Sequence, residues 1–149
     1  MLAWWVCRGG FWRLAALASV GVLAGCTHGP PPCVAGLSLD CRPLYDPPIF
    51  QTLFDQTFHP TCATGTTTCH TPEGAKKGLV FQDADDAYAL LLAPRDADPR
   101  VLPADPACST LMIRLSSTDP GYRMPPGPTP LSAAALCAVA QWIAAGAAR

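Results

Sequence analysis

Cys62-Ala63-Thr64-Gly65-Thr66-Thr67-Thr68-Cys69-His70 places two thiols and an imidazole within nine residues of a polar, Thr-rich stretch. The residues before it are of another kind. Ile49, Phe50, Leu53, Phe54 and Phe58 recur at helical spacing, which predicts an amphipathic helix with a broad aromatic face. Pro47 and Pro48 would open it, where a missing N–H is tolerated, and Pro60 would stop it. Downstream of His70 the elements are again short and punctuated. Gly78-Leu79-Val80-Phe81 reads as a brief extended piece. Asp83 to Leu92 reads as a helix with acids in its first turn, ending before Pro94. Asp105-Pro106 has the form of an N-cap followed by Pro, so a third helix should start there and bury Cys108, Leu111, Met112 and Leu115. Ser132 should cap a last helix with Leu136, Val139, Ala140 and Ile143 on one face and Gly146 at its end. No run alternates as a strand would. The expected fold is all-α, a small helical domain with long Pro-rich loops.

The 149 residues are not of one material. The first 25 hold 18 apolar residues, Arg8 and Arg13, and no acid. The run from Leu14 to Leu23 is too short to span a bilayer core of about 30 Å as a helix, but it suits the apolar centre of an export signal. Leu23-Ala24-Gly25-Cys26 comes next and is similar to the lipobox of bacterial lipoproteins. That similarity implies cleavage before Cys26, lipid on Cys26, and a protein anchored in the bacterial cell envelope facing the periplasm. Thr27, where Asp would favour the inner membrane, points to the outer membrane. The expected organisation is a signal peptide at 1–25, a lipidated tether and loop-rich lead at 26–48, and the helical domain at 49–149. Residues 26–149 carry all 17 prolines, eight basic residues and eleven acids. That balance excludes a basic nucleic-acid footprint.

Export fixes the redox compartment, since thiols oxidise outside the cytoplasm. Cys7 would leave with the signal and Cys26 would take lipid. Six cysteines remain, and six allow fifteen pairings if all are disulfides. Cys33 and Cys41 bracket a short loop and could close it. Cys108 and Cys137 sit on two helices that should pack together, and a bridge there would close a long loop. Both pairs are expected as disulfides, which leaves Cys62 and Cys69.

A cysteine followed by histidine is how haem is held covalently, the thiols adding to vinyl groups and the histidine ligating iron. A sixth ligand is then wanted. Met124, in Tyr122-Arg123-Met124-Pro125-Pro126-Gly127, is a thioether on a Pro-stiffened loop far from His70 in sequence. From Ile49 to Ala147 the chain resembles the mono-haem c-type cytochrome domain, in the planctomycete-type, class I-like form found in bacterial lipoproteins. The resemblance lies in Ile49-Phe50, Cys69-His70, Gly78-Leu79, Val101-x-x-x-Asp105-Pro106-x-x-Ser109-x-Leu111, Arg123-Met124-Pro125-Pro126-Gly127 and Trp142-Ile143-x-x-Gly146-Ala147. It implies one covalent haem c held by Cys62, Cys69, His70 and Met124, with iron between His70 and Met124. It implies single-electron transfer with redox partner proteins rather than catalysis on a substrate. The haem edge would be exposed near Met124 and Thr66.

The spacing of the two thiols departs from the family. Its attachment motif has two residues between the cysteines, and here there are six, Ala63 to Thr68. Three outcomes stay open: both cysteines bind haem, Cys69 alone does, or the two form a disulfide and no haem is present. In the last case the domain would be a disulfide-stapled envelope module. Other residues have plain readings beside functional ones. His70 could be a solvated loop histidine and Met124 core. Trp142 should pack the last helix on the first. Arg123 could reach a haem propionate or solvent, and His59 is a fallback ligand, while His28 is a bystander. The acids Asp83, Asp85, Asp86, Asp96 and Asp98 read as a solvated face. A zinc site on Cys62, Cys69 and His70 lacks a fourth ligand. No phosphate loop or nucleophile elbow is present.

Overall fold

The computed structural model describes residues 32–63, 69–94 and 99–149. The expected signal peptide, Cys26 with its expected lipidation, and His28, Thr66, Asp96 and Asp98 lie outside them. Among the described residues every regular element is helical, and no helix is long and apolar enough to cross a membrane.

The aromatic stripe forms α1 (Phe50–Leu53), a π-helical turn (Phe54–Phe58) and α2 (His59–Cys62), running on as one continuous piece. Ile49 is still extended and caps α1, so Pro47 and Pro48 lie ahead of the helix rather than in its first turn. Pro60 does not stop it. The π turn widens the helix, and the His59 N–H reaches back five residues to the Phe54 carbonyl. Pro60 thereby falls in the first turn of a new helical segment, where its missing N–H leaves no bond unmade. The extra residue also keeps Phe50, Leu53, Phe54 and Phe58 buried on one side.

α3 (Ala84–Leu92) starts at Asp83, whose carboxylate accepts from the N–H groups of Asp85 (2.8 Å) and Asp86 (3.1 Å). α4 (Thr110–Ser116) starts later than the Asp105-Pro106 pair suggests. Asp105 instead caps a tight turn by accepting from the Cys108 N–H (3.1 Å). The fully buried Ser109 then ties that turn to the preceding loop, accepting from Leu102 N–H and donating to Asp105 O, both at 2.8 Å. α5 (Ala133–Ala144) is capped by Ser132, and the chain leaves it through Gly146 at φ +100, a left-handed conformation that glycine adopts freely.

Phe50 is where the helices meet. Its ring lies 5.4 Å from Trp142 of α5 and 5.0 Å, edge-on, from Tyr88 of α3. The C-terminal residues seal this core, with Trp142 Nε1 donating to Ala148 O (2.7 Å) and the Tyr88 hydroxyl to Ala147 O (3.0 Å).

Cys108 lies in the turn before α4 rather than on a helix face, and the four cysteines of the lead, this turn and α5 are bonded in another arrangement. Cys33 joins Cys108 and Cys41 joins Cys137, so the expected Cys33–Cys41 and Cys108–Cys137 pairs do not form. The reason is that the lead does not close on itself. It runs along the turn before α4 and along α5, with Val34 N–H on Ala107 O and Leu44 N–H on Ala134 O (both 2.9 Å). Gln141 donates to the carbonyls of Leu39 and Cys41, and the Tyr45 hydroxyl meets that of buried Thr57 at 3.1 Å. Residues 33–48 are thus packed on the body that the helices form.

Candidate functional site

One backbone bond joins the two ends of the Cys62–His70 stretch. The His70 N–H donates to the Cys62 carbonyl at 3.3 Å. Both Cys62 and Cys69 are free thiols, half-buried, with no disulfide between them. Burial, with a smaller contribution from neighbouring Cys69, pushes the Cys62 thiol up to about 12.

His70 is held on two sides by the Gly78–Phe81 piece. The Phe81 N–H donates to His70 O (2.8 Å), and His70 Nδ1 lies 3.0 Å from Leu79 O. A carbonyl accepts only, so Nδ1 carries the proton and Nε2 keeps its lone pair. The ring sits edge-on to Phe81 at 5.5 Å. Burial pushes the His70 pKa below its usual value. The Leu79 carbonyl opposes that shift, and the charge of Arg100 adds to it. A neutral imidazole, oriented through Nδ1 and with Nε2 available, is the form in which histidine binds metals.

His70 opens into an apolar cleft of about 120 Å³ that is partly open to solvent. Phe58, Leu79, Phe81, Leu91, Leu111 and Leu115 form its apolar walls, and Cys62 and Met124 also line it. Met124 is positioned by α4, its N–H donating to Arg114 O (3.0 Å) while Arg114 Nη1 donates to Tyr122 O (2.7 Å). The Arg114 guanidinium stacks 3.9 Å from the centre of the Tyr122 ring. A neutral histidine, a thioether and a thiol on the walls of one apolar cleft fit the donor set of a covalently held haem.

Three of the four expected cofactor residues, Cys62, His70 and Met124, therefore line one cleft. Cys69 is not among the described residues that line it. Its carbonyl accepts from the Lys76 N–H (2.9 Å), which ties it to the turn beside the cleft. Arg123 bonds the Gly127 carbonyl and the His59 ring lies 5.6 Å from that of Phe54, and neither lines the cleft. Sequence reasoning missed Arg100 and Arg114, which the cleft walls include. Arg114 was within its reach, since it lies three residues from Leu111 and next to Leu115 on the helix that forms the wall. Arg100 stands in a Pro- and Asp-rich loop and has no periodic context.

Residues 67–128 match the family model of planctomycete cytochrome C. The match supports a planctomycete-type cytochrome c domain, as the resemblance implied. It takes in Cys69, His70, both cleft arginines and Met124, and Cys62 lies five residues before it. No curated protein and no solved structure matches the chain.

Proposed function

We propose that this protein is a membrane-anchored c-type cytochrome of the bacterial cell envelope, carrying one covalent haem and passing single electrons. The observation that carries this reading is the placement of His70 and Met124 on the walls of one apolar cleft. The bound haem would supply the iron that changes oxidation state. The chain's own contributions are distinct. His70 would offer Nε2 to the iron while Leu79 O fixes the ring, and Met124 would offer its sulfur from another loop. The thiols of Cys62 and Cys69 would add across vinyl groups, each forming one C–S bond with its hydrogen passing to the adjacent vinyl carbon. Phe58, Phe81, Leu91 and Leu115 exclude water, which favours the reduced, less charged state. Arg100 and Arg114 line the same cleft and would put positive charge beside the cofactor. The role is that of a carrier rather than a catalyst.

Anchoring rests on Leu23-Ala24-Gly25-Cys26 and the lipid that Cys26 would accept, and the two disulfides suit an exported, oxidising setting. The outer membrane is favoured by Thr27. The partners would be redox proteins and the membrane itself, with no nucleic acid.

Made with a cytochrome maturation system, the protein should keep haem after denaturation in SDS and show the weak far-red band of methionine–iron(III) bonding when oxidised. A colourless protein whose mass equals polypeptide plus lipid sinks the haem reading and leaves the disulfide-stabilised envelope module. Cys26→Ser should abolish both palmitate incorporation and membrane partitioning, and unchanged partitioning would mean the apolar N-terminus anchors the chain itself.

A further inference from the structure

Large apolar side chains left in solvent are concentrated in one segment. Among the described residues they are Leu39 (43% exposed), Leu44 (50%) and Ile49 (47%), all within residues 39–49. A lone exposed leucine needs no explanation, but several gathered in one place mark an interaction face. The backbone holds them there. Gln141 Nε2 donates to the carbonyls of Leu39 and Cys41, the Leu44 N–H donates to Ala134 O, and Cys41 is bonded to Cys137. The lead therefore runs antiparallel along α5, with Leu39 at its last turn and Leu44 at its first. Ile49 precedes Phe50, whose ring lies 5.4 Å from Trp142 of the same helix.

α5 extends the apolar character. Its twelve residues include no Lys, Arg, Asp or Glu. A helix at a protein surface ordinarily carries charge on its outward side. Here the polar side chain Gln141 is bonded to the lead, Ala133 is exposed, and Ala134, Leu136 and Ala144 are half-buried. Residues 32–49 carry Asp40, Arg42 and Asp46, one base against two acids. Attraction to anionic headgroups is therefore absent from this face, and its affinity would come from apolar burial.

The expected anchor adjoins the same segment. Cys26 precedes Pro32 by six residues, which reach about 20 Å at full extension. A globular domain of this size is roughly 35 Å across. Cys33 is then fixed to Cys108. A tether shorter than the domain is wide denies the bilayer to the side opposite Pro32 and favours the face that continues from it. No residue of 32–49 and none of α5 lines the cleft, so a bilayer on this face leaves the cleft uncovered.

We propose that Leu39, Leu44 and Ile49, with the outward side of α5, form a membrane-seating surface that enters the acyl boundary of the leaflet holding the lipid and fixes the orientation of the domain. The proposal rests on the reading of Cys26 as a lipid anchor. The surface orients and does not anchor. Three apolar side chains are less than the stripe of an interfacial helix, so loss of the lipid still releases the chain.

The test uses the full-length lipoprotein in phosphatidylcholine vesicles that include a phosphatidylcholine with a diazirine on its acyl chain. Light expels dinitrogen and leaves a carbene, which inserts into nearby C–H bonds, and mass spectrometry maps the adducts. Residues 39–49 should carry adducts, and residues 69–81 beside the cleft should not. Leu39→Ser with Leu44→Ser, both at exposed positions, should cut the adducts on the lead roughly tenfold while the lipid keeps the chain on the vesicle. Added salt or phosphatidylserine should leave the pattern unchanged. Adducts confined to residues 26–32, adducts beside the cleft, or a pattern that needs phosphatidylserine overturns the proposal. Crosslinks between two copies at Leu44 in place of lipid adducts also overturn it and mark a self-association face. The intact mass separates the two readings. A chain without lipid that still labels at 39–49 sinks the lipoprotein reading and keeps the surface. Absence of label at 39–49 overturns the surface whatever the mass.

Discussion

At the scale of single residues, Cys62 and His70 carry the most exposed expectations. Cys62 lines the cleft although six residues part it from Cys69, and the His70 N–H returns to its carbonyl. If both thiols bind haem, Cys62→Ala frees one vinyl group, and the reduced pyridine haemochrome should move to the red of wild type. An unshifted band would mean that Cys69 alone is attached. His70 gives a pH prediction for the haem-free protein. Its folded pKa lies below the ordinary value near 6.5, so the folded state binds fewer protons than the unfolded one. Its contribution to stability is complete above about pH 6.5 and is lost as pH falls through the lowered folded value. The melting temperature should drop on acidification below that point, and less steeply in His70→Gln. Parallel pH profiles for the two proteins would refute this.

Among the elements, α4 does two jobs. Its apolar face closes the cleft through Leu111 and Leu115, and its Arg114 holds the Met124 loop by the Tyr122 carbonyl. The turn before it depends on Ser109, whose hydroxyl serves Leu102 N–H and Asp105 O in a fully buried place. Ser109→Ala leaves the Leu102 N–H without that acceptor. It should destabilise the domain by about 1–3 kcal/mol in urea unfolding, since an orphaned buried donor loses its full desolvation compensation. An effect within experimental error would mean that the turn is not needed to seat α4. The π turn in the first helix is a similar device. It passes Pro60 without a break and delivers Cys62 to the cleft at the end of the helix that Phe50 anchors in the core.

For the molecule as a whole, the two interleaved disulfides matter most. They join residues 75 and 96 apart and fasten the lead to the turn before α4 and to α5. Loops of that size stabilise by roughly 4 kcal/mol each in the chain-entropy account. Removing Cys41 and Cys137 together by Ser substitution should lower unfolding free energy by about that amount. Non-reducing peptide maps should recover Cys33 with Cys108 and Cys41 with Cys137. Recovery of Cys33 with Cys41 would show that the lead closes on itself. The same fastening brings the start of the lead to the turn before α4, the helix that also walls the cleft.

Local chemistry made much of this readable from residue order alone. Helical spacing from Phe50 to Phe58, the Asp83 and Ser132 caps and Gly146 are signals within one turn of the chain, and they yielded the all-α class and most helix positions. Cys69-His70 and Met124 were readable as a pair of candidate ligands because each is a chemically distinctive group in a distinctive setting. Trp142 against Phe50 followed from two apolar faces that had to meet. What residue order could not decide was everything set by long-range closure. Cys33 could pair with any of several cysteines, and only the course of the lead past the turn before α4 selects Cys108. Pro60 looks like a stop until the π turn upstream lets the helix restart around it. The positive charge lining the cleft is invisible in a chain of negative net charge, because Lys76, Lys77, Arg100 and Arg114 are spread along it and converge only when the cleft forms. Spacing encodes what a single helix buries; the meeting of separate segments is decided by packing, which has no local signature.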